Sequence, residues 1–138
     1  MANNYTLASE CYGKFTKTER RWLKQQIKKL ELYREDSKRP KGCVFRQNDL
    51  DSGDFTAKFD GDALHVYSEE NFSIDAFVTL FTAFLHVHPK SKHKRFELTW
   101  AATCSAPRAG EFGGGYVIVT RDSVKFGNTW DMVAEASK

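Results

Sequence analysis

The side chains best equipped for chemistry gather between His86 and Gly115. His86, His88 and His93 stand in the run HVHPKSKH, and Cys104 follows. Imidazole and thiolate together suit Zn²⁺. Residues two apart on a helix point in different directions, however, so His86 and His88 do not converge while helical. Histidines near a helix C-terminus are also favoured simply by the helix dipole. Cys104 with a histidine base and glycine amides as an oxyanion hole would describe a Cys/His-dependent enzyme. The spacing fixes no third group, and the Thr-Cys-Ser context has no thiol-enzyme signature. Asp49, Asp51, Asp54, Asp60 and Asp62 are spaced like polar turns and lack the terminal glutamate of a calcium loop. The sequence therefore calls for no metal, no cofactor and no catalytic residue.

The second candidate is the segment Thr103–Thr120, TCSAPRAGEFGGGYVIVT. Three consecutive glycines, Gly113, Gly114 and Gly115, have no use in a helix and weaken a strand. A phosphate loop needs a Gly-Lys-Ser/Thr ending and a following helix, whereas here an alternating strand, Tyr116–Thr120, follows. A milder reading keeps Arg108 and the glycine amides as contacts for an anion or a partner's backbone. The competing reading is a wide turn at a sheet edge, with Arg108 and Glu111 paired at its bend.

The third candidate is a cationic helix. Thr16 and Glu19 have capping-box spacing, and TERRWLKQQIKKLELYRE is built of good helix formers. Trp22, Leu23, Ile27, Leu30 and Tyr33 make its apolar side, and Lys17, Arg20, Arg21, Lys24 and Lys28 gather on an adjoining stripe. That stripe extends about 16 Å, the span of several phosphates. Residues 14–41 carry eleven Lys/Arg against four acids, and residues 47–75 carry eight acids against one Lys. The acidic block is thus a rival claimant for the cations.

These candidates need a scaffold. At 138 residues, 41% hydrophobic and with eleven Phe, the chain suits a single domain over 1–138 with a real core. Residues 1–15 read as an N-terminal arm. Cys43–Arg46 is a short strand candidate, and Asn48–Asp54 is turn-rich. Phe55–Phe59 and Ala63–Ser68 flank Asp60-Gly61-Asp62 as a hairpin. Ser73 caps a Phe-rich helix, Ile74–His88, with a hydrophobic staple between Phe72 and Phe77. Arg95–Ala101, Tyr116–Thr120 and Ser123–Phe126 read as strands, and Trp130–Ala136 as a short final helix capped by Asn128 or Thr129. The fold class expected is α+β: an antiparallel sheet of about five strands, two main helices packed on it and a short C-terminal helix. No stretch suits a bilayer span. MANNYTLASE is no secretory signal, and three scattered cysteines suit a reducing compartment, so the cytoplasm is the expected location.

Residues 95–138 combine a Trp-containing strand, TCSAPRAGEFGGG, an aliphatic strand, Thr-Arg-Asp and a Trp-bearing end. This pattern resembles a family of small uncharacterised proteins of bacteriophages and some bacteria. The resemblance carries no functional residues with it. It implies a phage-encoded accessory protein working in the host cytoplasm by binding and inhibiting, or sequestering, a host component such as a defence system. The expected partner is a host protein, met by Lys17, Arg20, Arg21, Lys24, Lys28, Arg108, Glu111 and Gly113–Gly115. Nucleic acid or an anionic nucleotide bound by the basic helix is the alternative, and a Cys/His enzyme the second alternative.

Overall fold

A computed structural model describes residues 4–68, 70–104 and 113–138. The first helix, α1 (Lys17–Asp36), starts where the capping box places it. Glu19 N donates to Thr16 Oγ1 at 3.2 Å, and Thr16 N donates to Glu19 Oε1 at 2.9 Å. The helix stops at Ser37, whose left-handed backbone returns its N–H to the Tyr33 carbonyl. Leu23, Leu30 and Tyr33 enter the core, accompanied by the buried amide of Gln26. That amide donates to Gly42 O at 3.2 Å and accepts from Val44 N at 3.0 Å. Here the expectation of a strand over Cys43–Arg46 fails. The segment buries Cys43 and Phe45, but a glutamine side chain satisfies its backbone where a neighbouring strand would otherwise be needed.

The acidic span that follows is a one-turn helix, α2 (Gln47–Asp51), where only turns were expected. Asp49 organises it from a buried position. Its carboxylate accepts from Arg46 N at 2.9 Å and from Thr79 Oγ1 at 3.0 Å, while its carbonyl accepts from Ser73 Oγ at 2.9 Å. Aspartate at the third helical position suits the exposed N–H groups of such a turn.

Among the described residues seven strands form two antiparallel sheets, so the α+β class stands while the strands divide between sheets. The larger has the order β1 (Asn4–Leu7), β5 (Arg95–Cys104), β6 (Gly113–Thr120), β7 (Val124–Asn128). The smaller has the order β2 (Ser9–Tyr12), β4 (Ala63–Tyr67), β3 (Thr56–Asp60). The β3–β4 hairpin turns at Gly61, whose φ of 64° is left-handed, as the Asp-Gly-Asp signal requires. Residues 4–12, expected to be an arm, are instead the seam of the molecule. β1 joins one sheet and β2 the other, with Ala8 alone between them.

The Phe-rich helix, α3 (Ile74–Val87), carries the core. Ser73 Oγ accepts from Ala76 N at 3.1 Å, and the Phe72 and Phe77 rings of the staple lie 6.3 Å apart. Phe77, Leu80, Phe81 and Phe84 are fully buried. They meet Phe96, Leu98, Val117 and Val119 from the larger sheet and Leu64 and Val66 from the smaller one in a single apolar cluster. Tyr12 joins it, its ring 5.4 Å from Phe81 and 5.5 Å from Phe96. Its hydroxyl donates to the Glu97 carbonyl, and burial, helped by the charges of Glu10 and Glu97, pushes its pKa upward.

The glycine run corrects a further expectation. Gly113, Gly114 and Gly115 lie inside β6, an inner strand of the larger sheet, and face Ala102, Ala101 and Trp100 of β5. The chain ends in α4 (Thr129–Ala136), capped by Asn128, whose Oδ1 accepts from Asp131 N at 2.8 Å.

Candidate partner-binding face

Five cations of α1 were singled out in the sequence, and four of them share a face. Lys17, Arg21, Lys24 and Lys28 are all exposed. At 100° per residue they fall within a 60° arc, one row along the helix. Arg20 leaves the row. It is half-buried, and Nη1 donates to the Phe15 carbonyl at 2.6 Å, tying the helix to the segment that enters it. Arg20 is therefore a structural clamp.

Among the described residues the acidic block does not pair with the row. Among the described residues the ion pairs are Lys28–Glu31 at 3.8 Å, Arg95–Glu97 at 2.9 Å and Lys138–Glu135 at 2.9 Å, and none joins residues 14–41 to residues 47–75. The Lys28–Glu31 pair is long and exposed on both sides, so it holds Lys28 weakly. The acids of 47–75 are used locally instead, as Asp49 is in capping α2 and Asp51 in accepting from Gln47 Nε2 at 3.0 Å. Arg34 Nη2 reaches the acidic block only at a backbone carbonyl, that of Gly53, at 3.0 Å.

Beside the row lies a shallow trough of about 460 Å³ between α1 and β3, bordered by Lys24, Lys28 and Lys58 with Phe59 in its wall. Lys24 Nζ stands 5.4 Å from the centre of the Phe59 ring, a cation–π distance that props the lysine over apolar surface. Lys58 was not singled out by sequence reasoning. Its charge sits inside the acidic block, and only the fold brings it against α1.

A second depression, of about 430 Å³, opens at the start of α1 and is lined by Lys14, Glu19, His88, Lys90, Ser91 and Lys92. Glu19 is buried there. Burial alone would raise its pKa, but hydrogen bonds from Ser91 and Thr16 and the nearby charge of His93 outweigh this and hold the carboxyl below its ordinary value. The depression thus has a negative floor and a positive rim, and the negative charge is already satisfied.

The histidines do structural work. His88 Nδ1 lies 3.1 Å from the Phe84 carbonyl, and its ring packs edge-on to Trp22 at 5.4 Å. His93 stacks on Phe15 at 4.4 Å and on Phe96 at 5.3 Å, with Nε2 2.9 Å from the Lys14 carbonyl. His86 is exposed. Among the described residues no three potential ligands gather. The side chain of Cys104 lies outside the described set, as do Arg108 and Glu111.

Packing accounts for Gly114, Gly115 and Gly127. A Cβ on Gly115 would stand 2.5 Å from the Trp100 ring and 2.7 Å from the Gly127 carbonyl, and one on Gly114 would stand 2.6 Å from the Trp100 carbonyl. Gly127 answers Tyr116 in the same way, with a Cβ position 2.2 Å from that ring. Indole and phenol rings lying across glycines of the next strand supply the apolar cover that those glycines lack. Thr129 Oγ1 also donates to the Gly114 carbonyl at 3.1 Å.

No family model, curated protein or solved structure matches this chain. Its function is therefore argued from the face itself. Among the described residues no helix is long and apolar enough to cross a membrane.

Proposed function

We propose that this is a non-enzymatic binding protein that acts by occupying an acidic surface of a partner protein. The observation that carries this reading is the row Lys17, Arg21, Lys24 and Lys28, exposed along one side of α1 and, among the described residues, without an ion pair to the acidic block. Four cations in fixed register on a rigid helix favour an extended acidic surface, and the Phe59 wall beside Lys24 and Lys28 adds apolar contact. The resemblance to small phage proteins supports a host component as the partner and its inhibition or sequestration as the outcome.

The experiment is affinity capture from host lysate, with and without nuclease, using the wild-type protein and the triple variant Arg21→Glu, Lys24→Glu, Lys28→Glu. A protein partner retained by the wild type after nuclease treatment, and lost by the triple variant at unchanged melting temperature, is the expected result. Undiminished capture by the variant would remove α1 from the contact. Capture that vanishes with nuclease and weakens steeply with salt would transfer the row to nucleic acid.

A further inference from the structure

The C-terminal end of the molecule has an apolar surface that its own fold does not cover. Of the described residues, Phe126 is 59% exposed, Trp130 59%, Met132 60% and Val133 55%. All four belong to β7 or α4. On a helical wheel α4 is amphipathic, with Trp130, Met132, Val133, Ala134 and Ala136 on one arc and Asp131 and Glu135 on the other. Yet no residue of α4 is buried. A helix with that pattern normally spends its apolar arc on a core, and this one stands beside the start of β6, at Gly113 and Gly114, with the arc in solvent.

Next to it runs an open strand. Among the described residues β7 pairs with β6 on one side only and closes the order of the larger sheet. Edge strands are ordinarily guarded by charge, proline or a bulge. β7, Val-Lys-Phe-Gly-Asn, has a single charge, no proline and an unbroken register with β6. At its centre stands Phe126, opposite Val117 of β6 and so in the same layer as the core residues Val117 and Val119.

We propose that this β7–α4 surface joins a second copy of the chain across a two-fold axis, β7 pairing antiparallel with β7 and each α4 closing over the joint. The sequence of β7 is self-complementary about Phe126. A two-fold there sets Phe126 against its own symmetry mate, Lys125 against glycine 127 and Val124 against asparagine 128 of the second copy, so no like charges stand directly opposite one another. Val124 and Phe126 of both copies then continue the apolar layer of the larger sheet through an eight-stranded assembly. Because α4 leaves the end of β7, antiparallel pairing brings each α4 beside the start of the other copy's β7.

The exposed area approaches what a stable interface needs. With a fully exposed large side chain near 150–250 Å², the four exposed fractions amount to about 450 Å² per copy and about 900 Å² for the pair. The strand backbones and the apolar alanines of α4 raise this towards the roughly 1,200 Å² at which stable interfaces begin. The surface is distinct from the cations of α1, so the dimer stands or falls independently of the proposed partner contact.

The test is sedimentation equilibrium of the full chain over a dilution series, with Trp130→Asp and Phe126→Lys beside the wild type. Both positions are exposed, so circular dichroism should show the fold retained. The wild type is expected as a dimer, and both variants as monomers over the same range. Phe126→Lys mixed with Phe126→Glu is then expected to restore a one-to-one pair, because the two-fold sets position 126 against itself. A wild type monomeric at every concentration overturns the proposal. So does a dimer that survives both substitutions, or a Lys/Glu mixture that stays monomeric.

Discussion

Replacing Gly115 by alanine tests whether the glycine run serves the sheet or a ligand. The new Cβ would lie 2.5 Å from Trp100 Cζ2 and 2.7 Å from the Gly127 carbonyl, against about 3.5–4.0 Å for comfortable contact. An overlap near 1 Å belongs with overpacked cores, which lose about 1–3 kcal/mol. The upper half of that range applies because one obstacle is strand backbone, which has no rotamer to escape into. With roughly 4 °C lost per kcal/mol for a domain of this size, the melting temperature should fall by about 8–12 °C. Urea titration of Gly115→Ala, Trp100→Ala and the double variant separates the two obstacles. Removing the indole relieves the ring clash and leaves the carbonyl clash, so the double variant should be more stable than the sum of the singles predicts by about 1 kcal/mol. A Gly115→Ala protein within about 0.5 kcal/mol of wild type would refute the packing account. Strict additivity would refute the part assigned to Trp100.

Two further outcomes are expected. Asp49→Ala should cost about 1–3 kcal/mol in chemical denaturation, since it strips the part-buried Arg46 N–H and Thr79 hydroxyl of their acceptor together. Glu19 should give the protein an acid-sensitive step. Its folded pKa is held below the ordinary glutamate value, so its contribution is fully present above about pH 4.3 and is lost as pH falls through the folded pKa. Stability measured from pH 6 downward should therefore decline less steeply in Glu19→Gln than in wild type, and parallel curves would show that Glu19 gains nothing from Ser91 and His93.

What was legible in the sequence was local. The Thr16–Glu19 box, the Asp-Gly-Asp hairpin and the Ser73 cap each satisfy backbone groups within a few residues, so their spacing alone specifies them. The strands of residues 4–12 were illegible because their partners, 101–104 and 64–67, lie far along the chain and four-residue strands show little period. Cys43–Arg46 looked like a strand because Cys43 and Phe45 alternate inward, and nothing in the sequence announced that Gln26 would take the place of a ladder. The glycines misled for the opposite reason. Read alone they weaken β6, and only the register with Trp100 and Tyr116 shows what they make room for. On the cationic face of α1, the row was visible by helical period. Arg20's diversion to Phe15 and Lys58's arrival beside Lys24 are products of packing. The α4 pattern was readable as amphipathic, but only the fold shows its apolar arc uncovered.

The seam formed by β1 and β2 has a consequence for how the chain is made. Asn4 pairs with Cys104 and Ser9 with Tyr67. At synthesis rates of about 5–20 residues per second, the segment leaves the ribosome roughly 5–20 s before its farthest partner exists. Until it docks, β5 and β4 each keep a bare edge, in two sheets at once. The nascent protein thus passes through a stage with two templates for mispairing, both closed by one nine-residue segment. A truncation that removes residues 4–12 would make that passing stage permanent, so its first symptom should be aggregation during expression.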